Sequence, residues 1–193
     1  MTLASWVFIC AGESVAGPVP DTGVVNTAHG QQGHTMTDSE ALHRLLDLEA
    51  IRTLKHRYVR CMTQSRWDEM ATLLTPDVQT AYSDGKYSFD NRDDLLAFLR
   101  GAHDVAQSHV LAYWHVTMPE INLISATQAT GVWAMYHFYL DKPALQQQEM
   151  FAYYEDTYRK VGDVWLIAST GYRRVMEQTF SRRDLPSMEL VAG

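Results

Sequence analysis

A tyrosine, two histidines and a pair of arginines stand among apolar neighbours, and together these side chains could move a proton. Tyr58 lies in "RYVRCMTQSRWD" on the apolar stripe of a helical pattern. His115 is flanked by Trp114 and Val116, His137 by Tyr136 and Phe138, and Arg173 and Arg174 follow "TGY" near the end of the chain. Imidazole titrates near neutrality, a phenol donates a hydrogen bond and a guanidinium holds an oxyanion, which is equipment for acid–base chemistry on a small molecule. Each residue also has a purely structural reading, since a buried histidine or tyrosine with a satisfied polar atom is an ordinary core residue. Successive strand residues face opposite sides, so one of the two arginines points inward and needs a partner while the other is solvated.

Other chemistries lack their residues. There is no Gly-rich phosphate loop, no GxSxG elbow and no CxxC pair, and "GESVAG" sets its serine at the wrong spacing. The eight histidines include no HxH or HxxxH spacing and none neighbours a cysteine, so neither a metal nor a cofactor is expected. With 23 acidic against 16 basic residues, a net charge of -7 and no basic cluster interleaved with aromatics, nucleic acid is not expected as a partner. Cys10 and Cys61 cannot build a disulfide framework, and Cys61 reads as a small buried hydrophobe.

The elements that must carry these residues are legible. Thr37, Asp38 or Ser39 caps a helix with Glu40 in its first turn, and Leu42, Leu45, Ile51, Leu54 and Tyr58 recur at three-to-four spacing. A short second helix carries Trp67, Met70, Leu73 and Leu74 and stops at Thr75-Pro76. "VQTAYSDGKYSF" reads as a hairpin turning at Asp84-Gly85, and "DNRDDLLAFLRGAH" as a third helix, capped by Asp90 or Asn91 and ended by Gly101. Four long aromatic and β-branched stretches follow, with a turn at Val161-Gly162-Asp163. Helices first and sheet afterwards make the fold class α+β. The expected form is a cone-shaped barrel, its N-terminal helices packed in a strongly curved antiparallel sheet and a ligand pocket at the open end.

The chain resembles the SnoaL-like branch of the nuclear transport factor 2-like superfamily, and within it the bile-acid 7α-dehydratases. The resemblance runs from Leu48 to Asp184 on "EAIRTLKHRYVRC", "WDEMATLLTPDVQTAYSDGKYSF", "PEINLI", "ATGVWAM" and "YEDTYRKVGDVWLIASTGYRRVME". It implies the same cone-shaped barrel, a homo-oligomer (trimer or dimer) and five site positions. Tyr58 matches the family tyrosine, and Arg174 matches the arginine after "TGY". His115 matches the family histidine if one residue is gapped; without the gap Trp114 takes that place. Thr63 and His137 stand where the family has two carboxylates. Threonine can hydrogen-bond but not titrate, so the resemblance transfers proton movement to histidine.

The implied function is a cofactor-independent lyase that eliminates water or a small aldehyde from a hydroxylated polycyclic or aromatic compound, such as a steroid or a lignin-derived diaryl compound. His115 would transfer the proton, Tyr58 and Arg174 would stabilise the oxyanion or leaving group, and His137 would assist. Thr63, Tyr82, Tyr113 and Trp133 would contact the substrate. This set requires Tyr58, His115 and Arg174 to converge on one cavity. An isomerase on the same scaffold, a non-catalytic small-molecule-binding module and the small subunit of a ring-hydroxylating dioxygenase are the rival readings. Residues 1–36 read as a flexible extension, 37–184 as the domain and 185–193 as a tail. "MTLASWVFICAG" is too short to span a membrane and lacks the charged start of an export signal, so a cytoplasmic location is expected, with Met36 an alternative biological start.

Overall fold

The computed structural model describes residues 36–83, 85–103, 109–185, 187 and 189. Helix α1 (Asp38–Gln64) begins at a capping box, in which the Thr37 side chain accepts from the Glu40 amide and the Glu40 carboxylate accepts from the Thr37 amide. Its buried stripe is Ile51, Leu54, Lys55, Tyr58, Val59, Cys61 and Met62. Leu42 and Leu45, expected on that stripe, are 57% and 62% exposed, because the first turns of α1 lie beyond its packed part. Ser65, in the left-handed region, ends the helix, with the Arg66 amide returning to the Cys61 carbonyl.

Helix α2 (Trp67–Ala71) is shorter than expected, since Leu74 already opens strand β1 (Leu74–Tyr82). Pro76 has no N–H to offer a ladder, and the pairing of β1 is irregular between Leu74 and Gln79. Strand β2 (Tyr87–Phe89) completes the hairpin and helix α3 (Arg92–His103) follows, running two residues past Gly101. Strands β3 (Val110–Leu123), β4 (Gln128–Asp141), β5 (Gln146–Val161) and β6 (Val164–Ser181) then form a meander.

The six strands lie in the order β2-β1-β6-β5-β4-β3, a curved sheet with the helices against its inner face. One pairing departs from the all-antiparallel expectation: β1 and β6 run parallel. The chain leaves the hairpin at one edge, restarts with β3 at the far edge and returns through three antiparallel steps, and β6 then closes on β1 running in the same direction. The two backbones meet closely at Ala81 and Gly171, where a Cβ on Gly171 would lie 2.7 Å from the Ala81 carbonyl oxygen. That approach sets Tyr172 beside Tyr82, rings stacked at 5.9 Å. The extension at 1–36 and the tail at 185–193 fall outside the described residues, apart from Met36, Leu185, Ser187 and Glu189, as does Asp84 of the hairpin turn. No described helix is long and apolar enough to cross a membrane.

Candidate active site

The strand register places inward residues in rows. One row runs Trp114, His137, Met150, Glu177 across β3, β4, β5 and β6, and the next runs Val116, Met135, Ala152, Arg174. The first row, and Arg174 of the second, face a cavity of about 580 Å³, closed by α3 and by the hairpin and of a size that suits a small organic ligand. His103, His137, Trp114, Tyr82, Arg174 and Glu177 all line it.

Trp114 lies between two imidazoles. Its ring stacks on His137 at 4.5 Å and 21°, and meets His103 edge-on at 5.3 Å. The Ser65 hydroxyl donates to the His103 carbonyl, tying the end of α3 to the end of α1. Among the described residues His137 Nε2 and His103 Nδ1 are covered from solvent without a hydrogen-bond partner, a cost of about 1–3 kcal/mol each. Burial drives the His137 pKa down to about 3, with His103 adding a smaller repulsion. His137 is therefore a neutral ring at physiological pH, suited to hydrogen bonding rather than to taking a proton. Burial lowers His103 as well, which leaves it unprotonated and able to accept.

Beneath the cavity the hydroxyls of Tyr58 and Tyr82 are 2.7 Å apart. Tyr82 lines the cavity and Tyr58, fully buried on α1, supports it from behind. Burial and neighbouring polar groups raise both phenols, so they serve as neutral donors. Deeper still, the fully buried Lys55 ammonium lies 2.8 Å from an Asp156 carboxylate oxygen and 3.6 Å from the centre of the Tyr154 ring. The same oxygen accepts from the Tyr158 hydroxyl at 2.7 Å, which in turn accepts from Trp133 Nε1 at 2.8 Å. Desolvation pulls the Lys55 pKa down and Asp156 opposes it. A lone ammonium there would cost several kcal/mol, so the carboxylate is required by the lysine.

Arg174 and Glu177 meet inside the cavity wall, Nη1 to carboxylate oxygen at 3.0 Å. Simple alternation would put residues three apart on opposite faces. A bulge at Val175, between the pairs Phe151–Met176 and Ala152–Arg174, turns both inward. Arg173 faces outward, paired with Glu155 at 3.0 Å. Of the two arginines, Arg174 is therefore the inward one.

The sequence-derived set divides. His137, Arg174 and Tyr82 line the cavity, and Tyr58 reaches it through Tyr82. His115 does not: Trp114 takes the inward position, while His115 pairs with Tyr136 on the outer face, so the ungapped alignment has the right parity. Tyr58, His115 and Arg174 thus fail to converge. Thr63 is also elsewhere, its hydroxyl 3.5 Å from the Trp114 amide. It borders a shallow groove of about 290 Å³ between α1 and β3 together with Tyr113 and His115. Tyr113 points outward because it precedes Trp114 in the strand, and it is exposed. Trp133 is wholly buried on the Tyr158 side of the core, a packing residue held by its indole N–H. Among the cavity residues that carried no expectation of a role, His103 and Glu177 matter most for its chemistry. His103 continues the Leu96, Leu99 stripe at helical spacing, a signal hidden by ending the helix at Gly101. Glu177 had no local signal, because only the bulge turns it inward. No group of three metal-ligating side chains occurs among the described residues.

Residues 43–171 match the model of the SnoaL-like domain. Among solved structures, a provisionally assigned scytalone dehydratase from Novosphingobium aromaticivorans superposes with a TM-score of 0.65 at 19% identity, over 72% of this chain and 90% of that one. Hexachlorocyclohexane dehydrochlorinase LinA-type3 from Novosphingobium barchaimii gives a TM-score of 0.67 at 15% identity, over 79% and 99%. ActVI-ORFA from Streptomyces coelicolor gives 0.55 at 12%, over 66% and 96%. Those identities speak for the fold; the family match covers most of the chain, and the chain belongs to the SnoaL-like domain family.

Proposed function

We propose that this chain is a cofactor-independent lyase of the dehydratase type, acting on a hydroxylated polycyclic or aromatic compound such as a steroid or a lignin-derived diaryl compound. The observation that carries this reading is that His103, His137, Arg174 and the Tyr82–Tyr58 hydroxyl pair meet at one cavity. His103 takes a proton from the carbon beside a substrate carbonyl, and the C–H electrons pass into that carbonyl as an enolate. Tyr82, backed by Tyr58, donates to the developing oxyanion, and neutral His137 offers a second hydrogen-bonding group. Electrons return to form the new C=C bond, the C–O bond to the leaving hydroxyl breaks, and His103 gives its proton back so that water departs. With a hydroxymethyl group on the carbon beside the carbonyl, His103 instead takes the O–H proton, the C–C bond breaks as its electrons pass into the carbonyl, formaldehyde leaves, and His103 returns the proton to that carbon. Returning the proton to another carbon makes the reaction an isomerisation.

Two similar folds bear names that denote eliminations, which supports a lyase over a passive binding module. Exposed Phe151, Tyr153 and Met176 on the outer sheet face support self-association into a trimer or dimer as part of this reading. The test is a screen of hydroxylated keto-steroids and of diaryl ketones bearing a hydroxyl or hydroxymethyl group beside the carbonyl, with mass-spectrometric detection. Loss of water or formaldehyde is expected. A rearranged product of unchanged mass moves the assignment to isomerase, and binding without any turnover sinks the catalytic reading in favour of a binding module.

A further inference from the structure

The bulge at Val175 does more than reorient one side chain. It puts a hydrogen-bond donor and an acceptor of opposite charge side by side on the cavity wall, Arg174 and Glu177 at 3.0 Å, with side chains 31% and 26% exposed. We propose that this pair is a hydroxyl-recognition subsite, which makes the cavity select neutral hydroxylated ligands and reject carboxylates of the same shape. This inference rests on the reading of the cavity as a small-molecule site and adds the charge class of the ligand.

The chemistry is that of matched capacity. A hydroxyl oxygen can accept from the guanidinium while its proton is donated to the carboxylate, so one ligand group engages both partners. A carboxylate can only accept; it gains from Arg174 but meets the like charge of Glu177, the repulsive element that selectivity needs. The other charges on the wall among the described residues do not reverse this. Lys86 is exposed, with its ammonium 5.2 Å from the Tyr87 ring centre, and so is screened by water. His137 and His103 are both held toward the neutral form by burial and add no compensating positive charge. The outward pair Arg173–Glu155 lies on the opposite face of the sheet. Trp114 and His137 supply a flat aromatic wall for the ligand's ring.

The test compares 2-naphthol with 2-naphthoate, two probes of one ring system, by quenching of tryptophan fluorescence at neutral pH. The expected result is that the intact chain binds 2-naphthol at least about tenfold more tightly than 2-naphthoate. In Glu177→Gln the side chain keeps its shape and loses its charge, and 2-naphthoate should tighten about tenfold while 2-naphthol weakens. Equal binding of the two probes by the unsubstituted chain, a preference for 2-naphthoate, or no binding of either overturns the proposal. An unchanged ratio in a folded Glu177→Gln, verified by circular dichroism, overturns the role of Glu177. If Glu177→Gln does not fold, the ratio in the intact chain decides, with Arg174→Gln as the second variant, expected to weaken both probes. A failed turnover screen with the naphthol preference intact would remove the lyase reading and leave the subsite standing.

Discussion

The cavity and the groove between α1 and β3 share Trp114 as a common wall, and each is bordered by histidine and tyrosine. In the cavity the polar groups face inward from several elements, pressed together by the sheet's curvature, and burial shifts the titration of both histidines. In the groove His115 and Tyr113 stand on the outer face of an edge strand in contact with solvent. The residue types are nearly the same; what differs is desolvation and convergence. Those two properties make an imidazole chemically special, because water screens an exposed ring and no second group is held against it.

The contrast can be broken most directly at His103. Its replacement by alanine should lower kcat by about 10²–10⁴-fold, the range of a positioned acid–base group, on whatever substrate the screen identifies. A loss of less than threefold would mean that the proton passes through another residue.

A smaller effect concerns stability. The folded-state pKa of His137 is about 3 against 6.5 for a free imidazole, so below pH 6.5 the unfolded chain binds the proton first. Stability is therefore lost as pH falls from about 6.5 toward 3, by about 1.4 kcal/mol per pH unit from this residue, and is unaffected by it at higher pH. His137→Phe should remove that component, seen in urea unfolding at pH 7, 6 and 5. Equal slopes in the two proteins would show that His137 is not buried as a neutral ring.

The smallest effect belongs to the groove. His115→Ala should change kcat/KM less than about twofold and stability by about 0.5 kcal/mol or less, as an exposed substitution does. A loss comparable to that of His103→Ala would make the groove the active site and the cavity a structural void.

The capping box at Thr37 and Glu40, the stripe from Ile51 to Met62, the hairpin and the four strands are written in local patterns, since propensity, periodicity and turn chemistry act over a few residues. The α+β class was legible on the same grounds; strand alternation said only that one of the two arginines points inward, and the choice of Arg174 came from the family resemblance. The facing of His115 and Glu177 was not legible. Side-chain parity in a strand has a period of two, so the choice of register, or one extra residue such as Val175, moves a side chain to the other face. Neither event leaves a local mark in the chain. Nor does convergence: His103, Tyr82, His137 and Arg174 are far apart in sequence, and the curvature of one sheet, with two helix ends tied by Ser65, brings them to a single cavity. The chain's local chemistry thus specified the elements and the kind of side chains available. Sheet register, bulge and long-range packing selected which of those side chains became a site, because burial and proximity are properties of the folded arrangement.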